Sequence, residues 1–159
     1  MRNLTEYLTE STKDYSEVIE GIKAALNDSL ENNFKLSING GSKLNNIFYN
    51  RIGGCAIESM ISNILSPDDM TCDLDARYMS VDIEIKSIKD KKYSAFNRMF
   101  TDKELSKLNN ALVLFVDYLN SGDTFTINQI TICDGSQVLS DKNPNKSIKN
   151  TDPSRMIKF

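Results

Sequence analysis

Apolar side chains recur at helical spacing over residues 14–32. Tyr15, Val18, Ile19, Ile22, Leu26 and Leu30 fall on one face, and Asp14 with Glu17 three residues later has the form of a capping box. This predicts an amphipathic helix that packs on the chain's own core or on a partner subunit. Asn39-Gly40-Gly41-Ser42 reads as a turn, with Ser42 as the N-cap of a second helix. Leu44, Ile47, Phe48, Ile52, Ile57, Met60, Ile61 and Ile64 carry that helix to about residue 65, and Ser66-Pro67-Asp68-Asp69 ends it. Gly53-Gly54 interrupts the stripe and reads as a kink or a close helix contact rather than a phosphate-binding turn.

The period then changes from helical to alternating. Met70, Cys72, Leu74 and Ala76 alternate with Thr71, Asp73, Asp75 and Arg77, and Val81, Ile83 and Ile85 alternate with Asp82, Glu84 and Lys86. Residues 70–88 are therefore expected to form a β-hairpin. A short helix follows over 101–110, with Thr101 and Glu104 as a capping box. The apolar run from Ala111 to Leu119 suits a central strand covered on both faces, with Phe115 in the core. A turn at Asn120-Ser121-Gly122-Asp123 leads to a strand over Phe125–Cys133. Residues 134–159 read as an irregular segment that ends in a short strand at Met156–Phe159. The order of elements describes one α/β (α+β) domain over residues 1–159, a central mixed sheet flanked by helices.

Composition narrows the chemistry. The chain of 159 residues has no histidine, which excludes Ser-His-Asp and Cys-His catalysis and histidine-ligated zinc. Its three cysteines, Cys55, Cys72 and Cys133, have neither a disulfide framework nor zinc spacing, and Cys55 and Cys72 read as small core residues. The polar N-terminus and the lack of a long apolar run point to a cytoplasmic protein. The net charge of −3 argues against nucleic acid as a partner, but it is unevenly spread. Residues 1–85 carry 7 basic and 14 acidic side chains, whereas residues 86–159 carry 12 basic and 8 acidic. The basic second half suits phosphate contacts.

The polar face of the hairpin is the place where chemistry concentrates. Period-two geometry puts Asp82, Glu84 and Lys86 on one side of the second strand, and Asp73 and Asp75 share a side of the first. Two registers keep the polar sets together. A two-residue loop at Tyr78-Met79 sets Asp73 opposite Glu84, and a four-residue loop over 78–81 sets Asp75 there instead. Either way two carboxylates converge, with a lysine two residues beyond one of them. Close carboxylates repel, and a hard divalent cation relieves that repulsion. The plain alternative is a solvated strand face with surface ion pairs.

Cys72-Asp73-Leu74-Asp75 followed by Val81-Asp82-Ile83-Glu84-Ile85-Lys86-Ser87 resembles the signature of the PD-(D/E)XK nucleases. A literal Pro67-Asp68 also precedes Glu84, but Asp73 fits better because it lies within the strand. The order Asn39-Gly40-Gly41, Glu84-Ile85-Lys86-Ser87-Ile88, Lys92-Tyr93-Ser94, Asp134-Gly135 and Asp141-Lys142-Asn143-Pro144 is similar to the PvuII-type restriction endonucleases. That resemblance implies a restriction-endonuclease-like fold and a homodimer that cuts a short palindrome in duplex DNA with Mg²⁺, with Mn²⁺ able to substitute. It makes Asp73 (or Asp75) and Glu84 metal ligands and Lys86 the catalytic lysine. It assigns DNA contacts to Asn39, Ser94, Asn97, Arg98 and Asn143. Asn97 and Arg98 stand where the family carries histidines, and these residue types suit adenine and guanine.

The same signature serves repair, junction-resolving and phage nucleases, and a degenerate site would leave a DNA- or protein-binding domain. The helix over 14–32 is the natural dimer element by analogy. The basic segment with Lys89, Lys91, Lys92 and Arg98 is equally a phosphate contact or a solvated loop. Glu58 is either an additional metal ligand or a helix-surface carboxylate.

Overall fold

The chain runs through α1 (Ser16–Leu30), β1 (Lys35–Ser37), α2 (Asn46–Leu65), β2 (Ala76–Tyr78), β3 (Val81–Lys89), α3 (Asp102–Leu108), β4 (Leu112–Ser121) and β5 (Thr124–Asp134). It ends with α4 (Gly135–Ser140), α5 (Pro144–Lys149), a 3-10 turn (Pro153–Arg155) and β6 (Met156–Lys158). The computed structural model describes residues 14–30, 35–37, 46–66, 74–93, 101–141 and 143–159.

The strands form one mixed sheet in the order β1-β5-β4-β3-β2, with β6 also on β5. β4 lies at its centre, parallel to β3 and antiparallel to β5. Leu112 to Tyr118 are all buried, which explains the unbroken apolar run: helices cover both faces, so neither side of the strand meets water. On one face α1 and α2 pack with Ile83, Ile85, Leu112, Leu114 and Val116. On the other, α3, α4 and α5 contribute Leu108, Val138 and Ile148 to a cluster with Ile88, Val113 and Phe115.

The apolar stripe of α1 is wholly consumed in this way. Tyr15, Val18, Ile19, Ile22, Leu26 and Leu30 are each at most 9% exposed, so the helix expected as a dimer element buries its apolar face in its own chain. The Asp14 carboxylate accepts the Ser16 N–H at 2.9 Å, two residues on, in place of the expected Glu17 box. The Thr101–Glu104 capping box is formed as expected.

In α2 the expected positions Ile57 and Ile61 are fully buried, with Met60 and Ile64 packed against the same core, and the inner face extends through Tyr49 and Gly53. Tyr49, Gly53, Ile57, Ile61 and Leu65 follow one another at intervals of four and are buried. Gly53-Gly54 therefore continues the inner face, and α2 passes through it as one helix. A Cβ on Gly53 would lie about 2.4 Å from the Phe125 ring, so the glycine lets the helix rest on that aromatic. Cys55, next along, points outward and is exposed, contrary to the core role expected of it. Cys72 lies outside the described residues.

Two further expectations change. The C-terminal segment after Asp134 holds two short helices rather than irregular chain. Its Asp134-Gly135 step is where β5 meets α3: the Gly135 N–H donates to the Ala111 carbonyl at 2.8 Å, and a Cβ there would sit about 2.0 Å from the Leu108 carbonyl oxygen. The strand β1, with Lys35 opposite Thr126, has no counterpart in the sequence reading. No described helix is long and apolar enough to cross a membrane.

Candidate functional site

The hairpin register decides which carboxylates meet. Ala76 pairs with Ile83, Arg77 with Asp82 and Tyr78 with Val81. Met79 and Ser80 form a two-residue turn, with φ of 48° and 65°. Two successive positive φ values make the turn whose twist matches paired antiparallel strands. This turn is one residue later than the two-residue loop considered from the sequence. The resulting register extrapolates to Asp75 opposite Glu84, the pairing expected from the longer loop.

Ile83 and Ile85 enter the α1–α2 side, while Glu84, Lys86 and Ile88 share the other. In the sheet Glu84 lies beside Val113 and Lys86 beside Phe115, so the polar pair rests on an apolar floor. Glu84 is only 9% exposed, which rules out a solvated strand face for that carboxylate. Asp82, two residues earlier on the same face, is paired with the Arg77 guanidinium at 2.9 Å.

β2 is shorter than the alternation suggested. It begins at Ala76, and Leu74 and Asp75 form a bend. Leu74 packs under the face that carries Glu84, whereas Ala76 packs with α1 and α2, so strict alternation breaks at the bend. The Asp75 Oδ2 accepts the Ile85 N–H at 2.8 Å. The Asp75 carbonyl in turn accepts the Ser62 hydroxyl of α2. The carboxylate is thus held against the peptide that joins Glu84 to Ile85.

On the opposite side of Lys86, Glu58 of α2 accepts both the N–H and the hydroxyl of Ser87 through one oxygen, each at 2.8 Å. Gly54, one turn earlier, gives the room: a Cβ there would lie about 2.7 Å from the Ser87 hydroxyl. Glu58 is therefore neither a free surface group nor aimed at the Glu84 face. The sequence signal was a glycine and a glutamate at i and i+4 on one helix, opposite a strand serine. It is legible only once the two elements are known to touch.

Beyond Lys86 the strand ends in a turn at Asp90-Lys91, both with φ of 55°. The Asp117 carboxylate, 4% exposed, accepts the Lys91 N–H at 3.3 Å and the Asn128 amide at 3.2 Å. Burial raises the Tyr93 phenol above its usual pKa, and the nearby Asp117 carboxylate raises it further. Lys91 and Lys92 are exposed there.

Asn143 is exposed and caps α5, its side chain accepting the Asn145 N–H at 3.1 Å. Because α5 packs through Ile148 on the cluster that holds Ile88 and Phe115, Asn143 lies on the same side of the sheet as Glu84 and Lys86. Asp73, Asn39, Ser94, Asn97 and Arg98, with Pro67 and Asp68, fall outside the described residues. Among the described residues no group of three or more Asp, Glu or Cys side chains is placed to hold a metal ion.

No protein-family model matches the chain, and neither a curated protein nor a solved structure matches it.

Proposed function

We propose that the chain is a metal-dependent DNA endonuclease of the PD-(D/E)XK type, with a restriction-endonuclease-like fold and its chemistry on the face of β3 that carries Glu84 and Lys86. The observation that supports this most is the Glu84 carboxylate buried on an apolar floor, with Lys86 two residues on along the same face.

Glu84, with Asp75 or Asp73, would hold the cation. The donor set fits Mg²⁺, which takes one or two carboxylates and completes its shell with water and phosphate oxygens. When bound, the ion neutralises charge on the scissile phosphate and acidifies water. Lys86 orients or deprotonates the attacking water, and the apolar floor of Val113 and Phe115 strengthens these charge interactions. Mn²⁺ is expected to substitute.

The substrate is duplex DNA at a short, palindromic sequence, cut by a homodimer whose twofold axis matches that of the site. Asn143, with Asn39, Ser94, Asn97 and Arg98, is assigned to DNA contact by the resemblance. A repair, junction-resolving or phage nuclease would use the same residues on branched or damaged DNA.

A non-catalytic DNA- or protein-binding domain is the second reading. It is favoured by the engagement of Asp75 and Glu58 with backbone N–H groups, a structural use of carboxylates. The test is incubation of the protein with unmethylated duplex DNA of wide sequence diversity, in Mg²⁺ or EDTA, beside Lys86→Ala. Discrete fragments that need Mg²⁺ and vanish in the variant support the endonuclease. No cleavage of duplex, branched or single-stranded DNA with any divalent metal, with DNA affinity unchanged in Glu84→Ala, leaves the binding domain.

A further inference from the structure

β3 outlives its neighbour. β2 stops at Ala76, opposite Ile83, while β3 continues to Lys89. Tyr78 and Val81 close the two-residue turn, so the groups of Val81 point toward β2, and the same orientation repeats at Ile83, Ile85 and Ser87. Among the described residues no strand lies beside the edge that the Ile85 and Ser87 N–H groups face. Carboxylates occupy both positions: Asp75 takes the first and Glu58 the second. The two peptides held in this way are the ones that follow Glu84 and Lys86. Each candidate site residue has its C-terminal peptide fixed by a side chain from another element.

We propose that Glu58 is a positioning residue that holds the Lys86–Ser87 peptide by accepting the Ser87 N–H and hydroxyl, and so fixes the direction in which Lys86 leaves the sheet. Glu58 is suited to this because α2 is already seated on the sheet through Ile57 and Ile61, both fully buried. One oxygen receives two donors of the same residue, which fixes Ser87 in angle as well as distance. Gly54 lets the helix approach closely enough for both bonds. The contact itself is independent of the nuclease reading, while its effect on catalysis rests on that reading.

Two measurements on the full chain test the proposal. The first is amide hydrogen exchange at Ser87, with Leu114 and Val116 of β4 as internal references, in wild type, Glu58→Ala and Glu58→Gln. Glu58→Ala should speed exchange at Ser87 selectively, and Glu58→Gln should restore protection, because its carbonyl accepts the same two bonds. The second is steady-state cleavage of DNA. Glu58→Ala should lower kcat by about tenfold to a hundredfold with KM little changed, and Glu58→Gln should recover most of it. Unchanged exchange at Ser87, or a uniform rise that includes β4, overturns the proposal. So does a Gln variant as inactive as the Ala variant, since Glu58 would then act through its charge. A wild-type protein that cuts no DNA overturns the nuclease reading alone, and the exchange measurement still decides the contact.

Discussion

The Asp75 carboxylate closes a ladder position of β3 by accepting the Ile85 N–H at 2.8 Å, and the hairpin register, extended one residue past Ala76, leads to the same residue opposite Glu84. These two roles make different demands. A hydrogen bond to the backbone needs an acceptor, while a cation needs charge. Asp75→Ala should lower unfolding free energy by about 1–2 kcal/mol in urea titration, because an N–H on the strand edge loses a charged acceptor. Asp75→Asn should keep most of that stability. Loss of Mg²⁺-dependent cleavage in Asp75→Asn at unchanged stability identifies Asp75 as the ligand. Retained cleavage passes that role to Asp73.

Glu84 is the residue for which metal binding can be read without activity. In wild type, Mg²⁺ should raise the thermal unfolding midpoint relative to EDTA, since an ion that binds only the folded chain stabilises it. In Glu84→Gln that rise should disappear. Lys86→Ala should retain the rise, yet lose cleavage by about 10²–10⁴-fold, the usual contribution of a positioned proton-transfer group. Equal Mg²⁺ responses in wild type and Glu84→Gln would remove Glu84 from the cation site.

Packing of α2 gives a prediction free of any functional assumption. Gly53→Ala forces a methyl into the Phe125 ring at about 2.4 Å, and the ring is fully buried. Destabilisation of about 1–3 kcal/mol is expected, as for other overpacked cores. Chemical denaturation measures it, and a neutral result would show that α2 can shift away from β5.

The hairpin turn can be improved. Met79 and Ser80 both hold positive φ without being glycine or asparagine. Replacing the pair by Asn-Gly should raise stability by about 1 kcal/mol, because those residues adopt the turn without the steric penalty. A lower melting temperature in the double variant would mean that the Met79 side chain, half exposed, contributes packing.

Alkaline pH should destabilise the fold. Burial pushes the Cys133 thiol up to about 11 from its ordinary 9.0. The Tyr93 and Tyr118 phenols are likewise raised above their ordinary 10.0, again mainly by burial. A raised folded pKa means that the unfolded chain releases its proton first. The contribution is complete below the unfolded pKa and is lost as pH climbs through the folded one. For Cys133 the loss therefore falls between about pH 9 and 11. Denaturation midpoints across that range check it, and a flat response in Cys133→Ala isolates the thiol's share. At neutral pH a thiol reagent should modify exposed Cys55 and leave Cys133 untouched until unfolding.

Much of the frame is legible in the order of residues alone, and the reason is that periodicity is local. The helical stripe of α1, the Thr101 capping box, the doubly buried run of β4 and the alternation of β3 each arise from chain geometry acting on near neighbours. So does the shared face of Glu84 and Lys86. The tertiary structure decided what depends on partners distant in sequence. It set the hairpin register that pairs Ala76 with Ile83, and it ended β2 at a bend. It turned Gly53-Gly54 from an interruption into the inner face of α2, and left Cys55 outside. It gave Lys35–Ser37 a place as a strand, since three mostly exposed residues have no pattern of their own and become β only beside Thr124–Thr126. Above all it gave Glu58 a purpose. A helix carboxylate and a strand serine 29 positions apart share no local signal, and only the close seating of α2 on the sheet brings one oxygen to both donors.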